Sequence, residues 1–217
     1  MFKIAVLVSG NGTNLKAIID NVISGYLEDV LIEVVLSSNE RAYAIQYARD
    51  FNLNYEVLSR KNYRDNKVYN QALISILDRY DLNLIVLAGF LVILEDEFIQ
   101  KYQNRIINIH PSLIPSFCGS NYYGGLKVHE KVLEYGVKIT GATVHFVNLE
   151  VDAGPIILQR NVEVSDNDTP EILSQHVMRE AEWIILSEAI KLISQRQIAI
   201  NGRIVKILNK EDKNSLQ

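Results

Sequence analysis

The chain has 217 residues, 48% hydrophobic and 22% charged, the balance of an ordinary soluble globular protein. Its 22 basic and 26 acidic residues give a net charge of −4, which excludes a global electrostatic pull toward nucleic acid. A lone cysteine, Cys118, excludes an internal disulfide and a cysteine-based metal site, and no run approaches the roughly 20 apolar residues that span a bilayer.

The first apolar, β-branched run, 2–8, reads as a strand. It is too short for a signal-peptide core and has no basic segment before it, so a reducing cytoplasm is expected. Leu15, Ile18, Ile19, Val22 and Ile23 then recur at the spacing of one helix face. Between strand and helix lies Ser9-Gly10-Asn11-Gly12-Thr13-Asn14. Glycines let a ligand approach the backbone, and a helix start offers unpaired amides and a positive dipole end. The amides of Gly12, Thr13 and Asn14, with the Thr13 hydroxyl, suit a single phosphate. A plain strand-to-helix turn reads this loop equally well. A dinucleotide fits poorly, because Leu15 stands at the third glycine position. Ser37-Ser38-Asn39 also ends the second strand where an acid is needed.

Further along, 30–36 and 55–58 read as strands, and 41–49 and 68–80 as helices, the latter with Ala72, Leu73, Ile76 and Leu77 inward. The runs 84–88 and 106–109 are almost wholly apolar, as in strands covered on both faces. This alternation predicts βαβ crossovers and a parallel sheet. Ligands on such sheets sit beyond the carboxyl ends of the strands. Three segments fall there: 9–14, 89–94 and 108–115.

The second half changes character. A helix is expected over 127–135, then longer strands over 140–147 and 156–164 joined by 148–155. Thr169-Pro170-Glu171 starts a helix with a cap, a first-position proline and an acid, and the helix runs to about residue 195. Runs 198–200 and 204–207 around Asn201-Gly202 read as a hairpin, and 210–217 as a frayed polar tail. No linker divides the chain. One domain is expected over 1–209, with a phosphate-binding half to about 105 and a catalytic half over 106–209. The fold class is α/β: a Rossmann-like three-layer fold with a mostly parallel central sheet and an antiparallel C-terminal extension.

The chemistry concentrates in Ile106-Ile107-Asn108-Ile109-His110-Pro111-Ser112-Leu113-Ile114-Pro115. Strand side chains alternate, so Asn108 and His110 share a face. A hydrogen-bond donor beside a group that titrates near neutrality suits a reaction in which a carbonyl oxygen becomes negative while a proton moves. Each residue also has a plain reading: Asn108 as a turn cap, His110 as a strand-end histidine bonded to backbone, and Asp152 before Ala153-Gly154-Pro155 as an Asx turn. His145 reads as a structural or supporting group, while His129 and His176 receive no role. Cys118 has no evident base beside it. Tyr122-Tyr123-Gly124-Gly125, within 117–126, reads as a loop over the site or as an exposed turn.

Four pieces together resemble one family: "VSGNGTNLKAII", "IVLAGFLVIL", "INIHPSLIPSF" and "TGATVHFVNLEVDAGPIILQ", in a match running from Lys3 to about Ile190. The chain resembles the glycinamide ribonucleotide formyltransferases, the folate-dependent transformylases of purine synthesis. The resemblance implies a Rossmann-like sheet with an extended C-terminal part. It implies formyl transfer from 10-formyltetrahydrofolate to the amine of 5-phosphoribosylglycinamide, with no metal. Asn108, His110 and Asp152 match the catalytic trio. There Asn108 and a protonated His110 would donate to the oxyanion, and Asp152 would favour the imidazolium. Gly12, Thr13 and Asn14 match the substrate phosphate loop, and Glu182 the ribose ligand. Leu91, Val92, Ile93, Leu94, Asn108, Asn148, Val151 and Asp152 match the folate cleft.

The chain also departs from the family. Val92 and Asn66 stand where members carry arginines for the folate's glutamate tail, leaving Arg64 and Lys67 as candidate replacements. Trp183 replaces a common histidine, and Ser187 a proline. The expected partners are small molecules, not nucleic acid or membrane, for a monomer or homodimer. Rival readings remain. Methionyl-tRNA formyltransferase adds a C-terminal domain for which this length leaves no room. Formyltetrahydrofolate hydrolase adds an N-terminal domain, whereas Phe2 starts the first strand here. A sugar-nucleotide formyltransferase and a non-catalytic sensor of a phosphorylated metabolite also stay open.

Overall fold

The apolar runs pair side by side in this computed structural model, which describes residues 1–119 and 124–208. Among these residues the strands are β1 (Phe2–Val8), β2 (Val30–Ser37), β3 (Tyr55–Val57), β4 (Leu84–Leu87), β5 (Ile106–His110), β6 (Ile139–Phe146), β7 (Ile156–Glu163), β8 (Ile198–Asn201) and β9 (Ile204–Ile207). They form one sheet in the order β3-β2-β1-β4-β5-β6-β7-β9-β8. β1 to β5 are mutually parallel. β6 runs antiparallel to β5 and to β7, and the β8–β9 hairpin joins the far edge through β9. The expected mostly parallel sheet with an antiparallel C-terminal extension is what the chain forms.

Helices cover both faces: α1 (Thr13–Ile23), α2 (Ala44–Asp50), α3 (Asn66–Leu77), α4 (Asp96–Lys101), α5 (Leu126–Tyr135), α6 (Pro170–Val177) and α7 (Trp183–Ser194). The two-residue period of β1 divides the core. Ile4, Val6 and Val8 pack with α1, α2 and α5 to α7, whereas Ala5 and Leu7 pack with α3 and α4. Fully burying each such Leu, Ile or Val stabilises the fold by about 1.5–3 kcal/mol. Leu15 and Ile18, both wholly buried, pin α1 to the sheet.

Several boundaries differ from expectation for local reasons. Helix α3 begins at Asn66 because the Asp65 carboxylate accepts the Lys67 N–H at 2.6 Å, a cap the hydrophobic stripe did not reveal. Helix α4 has six residues, too few to show a period. The helix expected from Thr169 to about residue 195 is interrupted. Thr169 caps α6 by accepting the Ile172 N–H at 3.3 Å, and α6 ends at Val177. A π turn over Met178–Glu182 follows before α7. The tail 210–217, Tyr122 and Tyr123 lie outside the described residues.

Candidate active site

The sheet places β2 on one side of β1 and β4 on the other, so the chain changes direction between β1 and β4. A crevice forms beyond the carboxyl ends of strands at such a point. The three loops there are stitched together. The Ser9 N–H donates to the Gly89 carbonyl at 3.1 Å, and the Leu91 N–H donates to the Ser9 hydroxyl at 2.9 Å. The hydroxyls of Ser9 and Ser38 share a hydrogen at 2.6 Å. Ser38 thus does structural work where a dinucleotide-binding chain would carry an acid.

Gly12 caps α1 in the left-handed region, φ +73°, and a Cβ there would lie 2.6 Å from the Ala44 Cβ. Only glycine fits this start of α1. The side chains of the next two residues reach across the fold. The Thr13 hydroxyl donates to the Met178 sulfur at 3.4 Å, and the Asn14 amide donates to Glu182 Oε2 at 2.7 Å. The phosphate-loop candidate Asn14 and the ribose candidate Glu182 are therefore direct partners, 168 residues apart in the chain. Both are buried, and Asn14 Oδ1 has no partner. Desolvation pushes the Glu182 carboxyl up to about 7, against the lowering effect of the Asn14 hydrogen bond. The π turn sets the position of Glu182; π insertions often sit at functional positions.

At the neighbouring strand end, β5 carries Asn108 and His110 on one face. Antiparallel register sets His145 opposite Asn108 and Thr143 opposite His110. The Thr143 hydroxyl donates to the Ser112 carbonyl at 2.7 Å and accepts the Ile114 N–H at 3.1 Å, fixing the chain beyond β5. That fixed chain returns to the histidine: His110 Nε2 lies 2.9 Å from the Phe117 carbonyl oxygen. A carbonyl can only accept, so Nε2 carries a proton. His110 Nδ1 lies 3.6 Å from Asp152 Oδ2. The Gly119 N–H donates to that same oxygen at 3.2 Å and orients the carboxylate. Asp152 sits in the left-handed region at φ +55°, which aspartate tolerates better than most residues. The following Gly154 admits no Cβ, which would fall 1.7 Å from the Phe146 carbonyl oxygen. Asn108 and His110, two places apart on β5, thus converge with Asp152 from the turn after β6.

Two further histidines flank this group. His145 Nε2 lies 3.2 Å from the Asn108 amide nitrogen and 3.9 Å from Asp152 Oδ1. Burial lowers its tendency to protonate, although the Phe146 carbonyl and Asp152 pull the other way. His129 on α5 is 1% exposed, and burial, then His110, depresses it to about 4, so it is neutral at pH 7. Burial, followed by the charges of Asp152 and Glu150, pushes the Cys118 thiol up, the wrong direction for a nucleophile.

The folate candidates divide. Leu91 and Ile93 are 73% and 59% exposed, and Val151 is also exposed, so these offer apolar surface. Leu94 is instead inside the core with Phe98 and Leu73, and Val92 packs against the same cluster. Asn148 donates to the Ala153 carbonyl at 3.4 Å, and its Oδ1 is buried without a partner. Asn66 acts as a brace: it donates to the Ile93 carbonyl and Glu95 Oε1 and accepts from Arg60 Nε. The Lys67 backbone belongs to the cap of α3, and Arg64 is exposed. Arg60 and Met178 make contacts for which the sequence holds no local signal, and within the expected site loop 117–126 the parts of Phe117 and Gly119 are backbone contacts that no side chain announces. Among the described residues no group of three His, Cys, Asp or Glu side chains could hold a metal ion.

A family model described as formyl transferase matches residues 2–190. The chain belongs to the formyl transferase family. It is 37% identical to the phosphoribosylglycinamide formyltransferase of Haemophilus influenzae over 94% of this chain and 92% of that protein. It is 39% identical to the trifunctional purine biosynthetic protein adenosine-3 of Bos taurus over 93% of this chain, but spans only 19% of that longer protein. The crystal structure of glycinamide ribonucleotide transformylase 1 from Symbiobacterium toebii superposes with a TM-score of 0.89 at 39% identity, covering 96% of this chain and 95% of the other. The formyl transferase fold read from the sequence is the fold observed.

Proposed function

We propose that this chain transfers the formyl group of 10-formyltetrahydrofolate to the amine of 5-phosphoribosylglycinamide. The products are formylglycinamide ribonucleotide and tetrahydrofolate, a step of purine biosynthesis. The observation that carries this reading is the convergence of Asn108, His110 and Asp152 at one sheet edge in a formyl transferase, with His110 Nδ1 3.6 Å from the Asp152 carboxylate. The name of the Haemophilus influenzae relative, matched along nearly its whole length, supports this amine as acceptor.

The substrate phosphate lies on the amides of Gly12, Thr13 and Asn14, where the start of α1 favours an anion. Glu182 holds the ribose hydroxyls. Its other partner, Asn14, ties the ribose end to the phosphate end. The exposed apolar side chains of Leu91, Ile93 and Val151 offer surface to the folate, with Val92, Leu94 and Asn148 shaping the cleft behind them. Arg64 and Lys67, near the Asn66 brace, take the glutamate tail.

The neutral amine attacks the formyl carbon, and the carbonyl electron pair moves to oxygen. Asn108 donates an amide N–H to that oxyanion, and the His110 imidazolium is a second, charged donor. The Asp152 carboxylate, 3.6 Å from Nδ1, faces the ring during the step. The C–N bond to the folate then breaks, the oxyanion reforms a carbonyl, and the former amine proton reaches the departing folate nitrogen through His110 or a water. No covalent enzyme intermediate is needed. The single cysteine and the absence, among the described residues, of a helix long and apolar enough to cross a membrane fit a cytoplasmic enzyme.

The deciding assay offers phosphoribosylglycinamide with 10-formyltetrahydrofolate, and separately with ATP plus formate. Turnover with the folate alone is expected. Turnover only with ATP plus formate, or only when a sugar-nucleotide amine replaces phosphoribosylglycinamide, overturns the proposal.

A further inference from the structure

The catalytic reading of Asn108 leaves a problem. A primary amide has a donor end and an acceptor end of nearly equal shape, and a half-turn about its last bond exchanges them. An oxyanion is stabilised by one end and repelled by the other. Something must select the end that faces the reacting carbon, and Asn108 cannot do so alone.

The group placed to select it is His145, directly opposite Asn108 in the antiparallel β5–β6 pair. His145 Nδ1 lies 2.8 Å from the Phe146 carbonyl oxygen. A carbonyl only accepts, so Nδ1 carries the ring proton. In the neutral ring Nε2 is then bare and can only accept. The atom 3.2 Å from Nε2 is the amide nitrogen of Asn108. One amide N–H is held there, and the second points away from His145. The ring is 2% exposed, so protein contacts rather than water fix its tautomer.

The ionisable groups facing His145 are Asp152, with Oδ1 at 3.9 Å, and His110 on β5; its β7 cross-strand neighbour is the apolar Ile156. Asp152 would welcome a second proton on the ring, whereas burial and His110 oppose it. Were Nε2 protonated, the Asn108 amide would have to turn its oxygen toward His145. The arrangement of donors at the reacting carbon would reverse.

We propose that His145, fixed as the Nδ1–H tautomer by the Phe146 carbonyl, is the positioning residue that presents the Asn108 amide as a hydrogen-bond donor. This rests on the formyl-transfer reading. The role is set by the tautomer at one strand crossing, and the residue itself touches no reacting atom.

Two measurements test it. The first needs no activity. The 15N spectrum of the His145 ring in the full-length protein is expected to show a protonated Nδ1 and a bare Nε2. This state should persist below about pH 6.5, where an ordinary histidine is mostly charged. A ring carrying its proton on Nε2 at pH 7 overturns the proposal even if the protein is a formyltransferase.

The second is a double-mutant cycle of His145→Asn with Asn108→Ala. Asparagine keeps a donor near Nδ1 but withdraws the acceptor from Asn108. The single change is expected to lower kcat by about tenfold while leaving KM within about threefold. In the Asn108→Ala background it should change kcat by less than about twofold. His145→Gln, whose longer amide can return an acceptor to the Nε2 position, should recover most of the loss. Equal losses from His145→Asn in both backgrounds would mark a merely structural histidine. A wild-type protein inactive in formyl transfer would defeat the functional reading while leaving the tautomer result standing.

Discussion

His110 Nε2 is held by the Phe117 carbonyl at 2.9 Å, whereas Nδ1 lies 3.6 Å from the Asp152 carboxylate, beyond hydrogen-bond reach. Nδ1 is therefore the ring nitrogen left to serve the oxyanion, with the carboxylate close behind it. Removing such a donor typically costs about 2.7–4 kcal/mol of transition-state stabilisation. His110→Ala and Asp152→Asn are each expected to cut turnover by at least roughly tenfold, with unchanged circular dichroism. Near-normal turnover in both removes the assignment.

Glu182 makes a separate prediction through pH. Desolvation raises its carboxyl from 4.5 to about 7 on folding. Between those values the folded chain holds a proton that the unfolded chain has lost, so this group's contribution to stability is present at low pH and fades as pH rises toward 7. The full effect is on the order of 3 kcal/mol. Glu182→Gln has no such proton, so melting temperatures across pH 5–8 should show its stability relative to the wild type rising with pH. A constant difference across that range would show that Glu182 is not buried in the way described.

At the scale of elements, the site is assembled by connections rather than by the helices and strands themselves. The turn after β6 delivers Asp152, and its position depends on Gly154 lying against the Phe146 carbonyl. Adding a methyl group there forces the turn away from β6. Gly154→Ala is expected to lower kcat by at least about tenfold by displacing Asp152, and to lower thermal stability as well. Full activity would mean the turn adapts and Asp152 does not need its present place. The π turn between α6 and α7 has the same standing for Glu182. The sequence showed one long apolar-periodic helix from Thr169 onward, and the period survives the π turn closely enough to hide it. The cap at Thr169 was legible because Thr-Pro-Glu is a local signal. The cap at Asp65 was equally local but lay in a polar stretch with other candidate starts.

Across the whole molecule, one apolar layer contains Ile4 and Ala44 from the first half together with Val144 and Leu186 from the second. β5 pairs with β4 on one side and β6 on the other, so the sheet runs unbroken between the halves. We therefore expect residues 1–208 to unfold as one cooperative unit. Trp183, the only tryptophan, begins α7 and reports on the C-terminal half by fluorescence. Its denaturant midpoint should coincide with that of far-UV circular dichroism. Two separated transitions would divide the chain into independent halves.

The sequence by itself determined the α/β class, most of the succession of strands and helices along the chain, the glycine-bearing loop after β1 and the motif bearing Asn108 and His110. These are written in periodicity, turn chemistry and short spacing, all local along the chain. Only the tertiary structure decided which side chains meet. The pairing register put His145 against Asn108, the π turn put Glu182 against Asn14, and the packing of Leu94 took a candidate ligand into the core. Such contacts join residues tens to hundreds of positions apart. They are fixed by register and by the burial of two apolar layers, and no local pattern in the chain encodes them.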